Sequence, residues 1–111
     1  MELLSRHSGN TLVIRAVNDR IDAASAIEFK ERMREIIAHP SERVILDMSN
    51  VFFLDSSGLG ALVAVMKALG PIRHLELSGL TPTVEKVLRL TRMDSVFLIH
   101  KLVPEESRHA S

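Results

Sequence analysis

The sequence contains no cysteine, no tryptophan and no tyrosine, and only four phenylalanines. Without cysteine the chain can form neither a disulfide framework nor a thiolate metal site, which fits a reducing compartment. A net charge is also absent, because 14 Lys and Arg residues balance 14 Asp and Glu residues. Such a chain offers no overall field that would attract phosphate backbones or anionic lipid, so we expect no direct contact with nucleic acid.

Long hydrophobic runs are missing too. The longest stretch without charge, residues 56–66, is much shorter than the roughly 20 apolar residues of a membrane-spanning helix. The first residues lack the basic-then-apolar order of a secretory signal. We therefore expect a cytoplasmic protein that does not cross a membrane.

The residues that are present predict one α/β domain. The chain has 111 residues, a length typical of a single domain, and about a third of them are Leu, Ile, Val or Phe, enough to bury a core. Two aliphatic segments on either side of Ser8-Gly9-Asn10 predict an N-terminal hairpin. Periodicity and short aliphatic runs then predict, in order, a helix over 23–38, a strand over 44–46, a helix from 56 to about 69, a strand over 74–77, a helix over 82–91 and a strand over 96–99.

Strands that alternate with helices after a hairpin indicate a mixed, mostly parallel sheet of four to five strands with three to four helices. We assign residues 1–103 to this domain and 104–111 to a polar C-terminal tail. Two starts are compatible with the first helix. Asp22 can cap it directly, or Ser25 and Glu28 can form a capping box.

The most unusual segment is Phe52-Phe53-Leu54-Asp55-Ser56-Ser57-Gly58-Leu59-Gly60, in which an apolar run leads into an acid, two hydroxyls and two glycines before a helix. One interpretation is purely structural: Asp or Ser side chains here cap the first-turn amides. Two hydroxyls, however, exceed what one cap requires. The other interpretation is therefore that one serine lies exposed at the start of the helix, open to modification.

The predicted second helix has two different sides. At about 100° per residue, the aliphatic side that should face the core comprises Leu59, Leu62, Val63, Met66 and Leu69. The opposite side is small and nearly uncharged, and comprises Ser57, Gly60, Ala61, Ala64, Lys67 and Ala68. This side is either a docking face for a partner, as exposed apolar patches often are, or is covered by another element of the domain.

The segment Asp55-Ser56-Ser57-Gly58-Leu59-Gly60 resembles the signature of the STAS domain as found in bacterial anti-sigma factor antagonists, where a partner kinase phosphorylates a serine at the start of a helix. Asp19-Arg20-Ile21-Asp22 is similar to the Gly-x-Leu-Asp segment of that family, and Ser78-Gly79-Leu80-Thr81-Pro82 resembles its joint before the third helix. The order of predicted elements agrees from about Leu3 to Ile99. The resemblance implies a STAS fold and a non-enzymatic regulatory module without a cofactor.

Carried over by position, the phosphoacceptor of the family falls on Ser56. The implied partners are an anti-sigma factor serine kinase, which would hold the ATP and bind the unmodified protein, and a serine phosphatase that would reset the serine. We expect the free protein to be a monomer. The surface expected to contact the kinase comprises Asp22, Asp55, Ser56, Ser57, Gly58, Gly60, Ala61 and Ala64.

Two departures from the family pattern concern loops. The glycine of the family before Arg20-Ile21-Asp22 is Asp19 here, which fits if that position needs a positive φ, and Arg92 stands where many relatives have glycine. An alternative function is a STAS scaffold or adaptor in a transport or sensory complex that binds constitutively without phosphorylation.

Catalysis is not indicated by the sequence. There is no Gly-x-Ser-x-Gly elbow that would make Ser56 a nucleophile, and the five histidines form no metal-ligand pair at helical spacing. We expect these histidines, His7, His39, His74, His100 and His109, to lie at the surface, and Phe52 and Phe53 to pack in the core.

Overall fold

The N-terminal hairpin forms where the sequence predicts it. In the computed structural model, which describes residues 1–104, strands β1 (Leu3–Ser8) and β2 (Thr11–Ala16) pair antiparallel. Gly9 lies in the connecting turn with a φ of 61°, a conformation that glycine adopts without a steric penalty. The hairpin supplies the antiparallel edge of the main sheet.

Three more strands extend this sheet in parallel. These are β4 (Arg43–Asp47), β6 (His74–Ser78) and β7 (Leu98–His100), and the sheet order is β1-β2-β4-β6-β7. The short strands β3 (Arg20–Ile21) and β5 (Phe53–Leu54) do not belong to it. The pairs β2–β4, β4–β6 and β6–β7 are all parallel. A mixed, mostly parallel sheet of five strands confirms the predicted fold class.

Three helices and one 3₁₀ turn connect these strands. The helices are α1 (Ala26–Ile37), α2 (Ser56–Leu69) and α3 (Pro82–Leu90), and the 3₁₀ turn is Met93–Ser95. The turn occupies residues near the predicted last strand, so β7 begins two residues later than expected. Gly70 follows the last residue of α2 with a φ of 81°, and the helix ends there as the Gly70-Pro71 sequence predicts.

The start of α1 differs from both predicted caps. Ser25 is the N-cap residue but its side chain makes no capping hydrogen bond, and Glu28 pairs with the N-terminal ammonium group of Met1. The carbonyl of Asp22 instead accepts hydrogen bonds from the amides of Ser25 and Ala26. A backbone turn thus replaces the capping box.

The core lies between the sheet and the helices. Alternate residues of three central strands bury one face against α1, α2 and α3, and full burial of such side chains contributes about 1.5–3 kcal/mol each. The largest members of this cluster include Leu12, Ile14, Phe29, Met33, Leu46, Leu62, Leu77 and Leu88.

The other face of the sheet carries a cluster of polar side chains, which we call the sheet ion cluster: Arg43, Glu76 and His100. The Glu76 carboxylate accepts from Arg43 Nε at 2.9 Å and from Arg43 Nη2 at 2.6 Å, and lies 2.7 Å from His100 Nε2. Burial raises the pKa of Glu76, but hydrogen bonds from Arg43 and His100 outweigh burial and leave that pKa below its usual value. The expectation that His100 lies at the surface is therefore wrong, because it is half-buried against this carboxylate.

A second, two-stranded sheet was not predicted. Strands β3 (Arg20–Ile21) and β5 (Phe53–Leu54) pair in parallel, with Arg20 beside Phe53 and Ile21 beside Leu54. Strands of two residues have no readable period, which explains why the sequence did not reveal them. Their pairing brings the segment before α1 against the start of α2.

The loop departures have different outcomes. Arg92 has a φ of 60°, the single positive value among non-glycine residues in 1–104. Glycine adopts this conformation without strain, which explains why many relatives have glycine there. Asp19 does not adopt a positive φ. Of the predicted polar tail, residues 105–111 lie outside the described residues.

Candidate functional site

The start of α2 is built around Asp55. This residue is the N-cap with extended backbone, and its Oδ1 accepts a hydrogen bond from the Gly58 amide at 2.8 Å. Its Oδ2 accepts a second hydrogen bond from the amide of Ala23 at 3.0 Å. One carboxylate therefore caps α2 and also ties the chain before α1 to this end of the helix.

Ser56 and Ser57 take no part in capping α2. Both are exposed on the first turn of α2, and within residues 1–104 neither hydroxyl takes part in a hydrogen bond. Because Asp55 alone forms the side-chain cap, the structural interpretation of this segment accounts for the acid and not for the two serines. The site thus presents a solvent-facing hydroxyl at a helix start.

Gly58 and Gly60 have opposite surroundings. A Cβ added at Gly58 would lie 2.1 Å from the carbonyl oxygen of Ile21 and 2.8 Å from Leu54 Cδ1, whereas nothing lies within 4 Å of one added at Gly60. Gly58 is buried and offers little surface to a partner in this conformation, and its contact with a partner stays a prediction. Its role is to let β3 approach the helix.

The small side of α2 is covered only around Ala61 and Ala64, since Ser57, Gly60, Lys67 and Ala68 are exposed. Ala61 and Val65 are buried and Ala64 is half-buried, while Lys30 and Arg34 of α1 lie around the same contact. Ala61 is therefore closed to a partner in this conformation and Ala64 is only partly available, and their contacts with a partner stay predictions. Of the predicted contact residues, Ser56, Ser57 and Gly60 are exposed, and Asp22 and Asp55 are half-buried.

Phe52 and Phe53 lie outside the core, contrary to the sequence prediction. Phe52 is 60% exposed and Phe53 is 42% exposed. The flanking Val51 and Leu54 are buried and occupy the inward positions, which leaves both rings on the outside. The amide of Phe52 donates to the carbonyl of Asp19 at 2.7 Å, so the backbone that carries these rings is fixed to the chain before β3.

Arg20 joins the aromatic and acidic parts of the site. Its Nε donates to Asp22 Oδ2 at 2.8 Å, and its Cζ lies 4.6 Å from the centroid of the Phe53 ring. The other carboxylate oxygen of Asp22 accepts from the Ala24 amide at 3.1 Å. Partial burial raises the pKa of Asp22, but hydrogen bonds from Arg20, Ser25 and Ala24, together with the charge of Arg20, leave it below its usual value.

The sequence predicted no functional role for Arg20, and it predicted only core packing for Phe52 and Phe53. Arg20 stands two residues before Asp22 in the segment Asp19-Arg20-Ile21-Asp22, and this position could have indicated its role. His7, His39 and His74 are exposed as predicted, and His109 lies outside the described residues. Over residues 1–104, His, Asp and Glu side chains form no group of three or more that could hold a metal ion. In the same residues no helix is long and apolar enough to span a bilayer.

Comparison with known proteins gives consistent matches. The family model described as STAS domain matches residues 3–107. A STAS-domain containing protein of Pseudomonas aeruginosa (strain UCBPP-PA14) is 28% identical over 92 residues, covering 82% of this chain and 89% of that protein. An anti-sigma factor antagonist from Mycobacterium paratuberculosis has a TM-score of 0.83 at 22% identity, covering 94% of this chain and 88% of that one. The Bacillus cell fate determinant SpoIIAA, in its phosphorylated form, has a TM-score of 0.66 at 19% identity, covering 99% and 100% of the two chains.

Proposed function

The chain belongs to the STAS domain family, and from this membership we propose that it is an anti-sigma factor antagonist whose binding is controlled by phosphorylation of Ser56. In the unmodified state it binds an anti-sigma factor that is also a serine kinase. Phosphorylation of Ser56 releases it, and a serine phosphatase restores the free hydroxyl. The domain itself performs no catalysis in this scheme.

One observation carries this proposal: the Ser56 hydroxyl is exposed and unbonded within residues 1–104, on the first turn of a helix whose cap is already formed by Asp55. A kinase can reach this oxygen without unfolding the helix. The phosphorylated form of SpoIIAA, a structural neighbour, is consistent with modification on this fold.

The proposed step transfers the γ-phosphoryl group of ATP, held by the kinase, to Ser56. A bond forms between Ser56 Oγ and the γ-phosphorus, the bond from that phosphorus to the bridging oxygen of ADP breaks, and the hydroxyl proton passes to a basic group of the kinase. The product gains about 1.5–2 negative charges at neutral pH. The phosphatase adds water across the same Oγ–P bond and releases inorganic phosphate.

The fold should tolerate this charge. A phosphate on Ser56 would lie near the free amides and the positive dipole end of α2, where a negative charge gains about 0.3–1 kcal/mol. The nearby Asp55 carboxylate opposes part of this gain, although its two oxygens already accept backbone amides. We therefore expect phosphorylation to change what the surface binds and not the fold beneath it.

The expected effect on binding is much larger. A partner shaped for a neutral hydroxyl would have to desolvate a doubly charged group beside Asp55. A penalty of about 3–5 kcal/mol, comparable to that of an unpaired buried charge, weakens binding by two to four decades.

The test uses purified full-length protein, each ATP-binding anti-sigma factor of the source genome, and ATP. We expect one kinase to add a single phosphoryl group to wild type, measured by intact mass, and none to Ser56→Ala. Ser57→Ala is the matched control and should still gain one. Ser56→Ala should remain bound to the kinase after ATP is added, and Ser56→Asp should bind poorly.

Two results would contradict the proposal. If no kinase modifies wild type, or if Ser56→Ala is modified as fully as wild type, Ser56 is not the switch. A wild-type protein that binds a partner without ever acquiring phosphate would instead be a constitutive adaptor in a transport or sensory complex.

A further inference from the structure

Three residues beside Ser56 have chemistry that the phosphorylation switch does not use. Phe52 and Phe53 expose 60% and 42% of their surfaces, and the Arg20 side chain is 56% exposed. We call Arg20, Phe52 and Phe53 the anchor patch. Removing one phenylalanine from water contributes about 1.5–3 kcal/mol, so two exposed rings at one place forgo a large stabilisation unless something covers them.

Arg20 and Phe53 contact each other, and the backbone of Phe52 is fixed, before any partner arrives. Pairing of β3 with β5 places Arg20 beside Phe53, and the guanidinium stacks on that ring at 4.6 Å. The Phe52 amide is fixed to Asp19 by a hydrogen bond of 2.7 Å. Side chains that are already ordered lose less conformational entropy on binding, and aromatic and Arg side chains dominate the binding energy of many interfaces.

Arg20 has donors to spare. Its Nε is bonded to Asp22, but within residues 1–104 no hydrogen bond uses either of its Nη nitrogens. These two nitrogens can form a bidentate pair with a carboxylate, and such a pair fixes the orientation of the partner as well as adding affinity.

We infer that the anchor patch docks the same kinase that modifies Ser56, with Phe52 inserted into an apolar pocket of the kinase and Arg20 paired with an acidic side chain on the rim of that pocket. This inference rests on the proposed function. β5 ends directly before Asp55, the N-cap of α2, and β3 pairs with β5, so we expect a protein that covers Ser56 to reach the patch as well.

A second copy of this chain fits the patch less well. Around the patch the three carboxylates of Asp19, Asp22 and Asp55 outnumber the single cation Arg20, so two copies that met at this surface would bring an excess of negative charge together. A partner that offers its own carboxylate to Arg20, and otherwise an apolar or basic surface, avoids this repulsion.

The experiment measures the affinity of the kinase identified by the phosphorylation test for purified full-length variants, without ATP. We expect Phe52→Ser to weaken binding by about 30-fold or more, the threshold of a binding hot spot. The matched control is Ile72→Ser, because Ile72 is 87% exposed but follows the far end of α2, about 20 Å from Ser56. Ile72→Ser should bind like wild type.

Arg20→Gln tests the electrostatic half of the inference. Its affinity should fall about 5- to 10-fold, and the decrease of affinity with added salt should be shallower than for wild type because one charge pair has been removed. Circular dichroism and urea unfolding of each variant show whether the fold is kept, as we expect for exposed positions.

The outcomes separate this inference from the function on which it rests. If no kinase binds or modifies wild type, the proposed function fails. If wild type is bound and modified while folded Phe52→Ser binds equally well, the anchor patch inference is overturned. It is also overturned if wild type sediments as a dimer that Phe52→Ser dissociates, since a second copy would then be the occupant.

Discussion

Two carboxylates in this domain are held by different kinds of hydrogen-bond donor. Asp55, at the start of α2, accepts hydrogen bonds from two backbone amides, those of Ala23 and Gly58. Glu76, in the sheet ion cluster, accepts from the charged side chain of Arg43 and lies against His100. Amides supply partial charges only, so Asp55 keeps its net negative charge, whereas Glu76 is matched by a cation.

This difference separates the proposed functional surface from a structural one. The region around Asp55 is partly exposed and keeps charge and hydroxyls that a partner can recognise. The Glu76 side chain is 5% exposed and its acceptors are used within the sheet, so its contribution is to stability. The stability of the region around Asp55 should depend on how closely the backbone segments approach each other. The stability of the sheet ion cluster should depend on charge.

The largest expected effect comes from crowding the backbone at the start of α2. In Gly58→Ala the new methyl group would collide with the Ile21 carbonyl oxygen, 2.1 Å away, and force β3 away from the helix. We expect a loss of about 3 kcal/mol in the free energy of unfolding, measured by urea denaturation.

Gly60→Ala is the matched control for that change. Nothing lies within 4 Å of its new Cβ, and alanine is a better helix former than glycine, so we expect a gain of about 0.5–1 kcal/mol. Equal effects of the two substitutions would show that the close approach of β3 to α2 does not constrain this region.

The next effect comes from removing charge in the sheet ion cluster. Glu76→Gln leaves Arg43 without its counter-ion, but the Arg43 side chain is 39% exposed and water recovers part of the cost. We expect a loss of about 2 kcal/mol at neutral pH. Glu85→Gln is the control: Glu85 pairs with Arg89 at 3.8 Å in a fully exposed position, and should change stability by no more than about 0.5 kcal/mol.

The pH dependence of the Glu76 effect has a definite sign. Because its pKa in the folded state lies below the ordinary value of 4.5, the ionised form stabilises the fold above that value. This stabilisation is lost as the pH falls through the folded-state pKa. The difference between wild type and Glu76→Gln should therefore narrow from pH 7 to pH 3, and a constant difference would show that charge is not its cause.

The sequence allowed the helices, the hairpin and the start of α2 to be predicted, because each has a local signal of period, turn or cap. It could not reveal the sheet ion cluster, since Arg43 and Glu76 meet only through the register of β4 with β6. The sequence also predicted, wrongly, that Phe52 and Phe53 pack in the core. Their exposure depends on the two-residue pairing of β3 with β5, which leaves no periodic trace.

The faces of α2 show the same limit. Helical spacing correctly placed Leu62 and Leu69 in the core, but it assigned Ala61 to an open side and did not place Val65, which is buried beside it. Which sides of a helix are covered depends on where a second helix packs, and α1 is distant in sequence from α2. The phosphoacceptor Ser56 came from the resemblance and remains a prediction.

The smallest expected effect comes from Asp55→Asn, which replaces the carboxylate by an amide as Glu76→Gln does. In Asp55→Asn the amide oxygen can still accept from Gly58, and Asn caps helices about as well as Asp, but the amide group cannot accept from Ala23. We expect a loss of about 0.5–1 kcal/mol by urea denaturation, less than half that of Glu76→Gln. Asp55→Ala, which removes both acceptors, should cost about 1–2 kcal/mol. A loss for Asp55→Asn as large as for Glu76→Gln would mean that charge, and not backbone geometry, holds the start of α2 together.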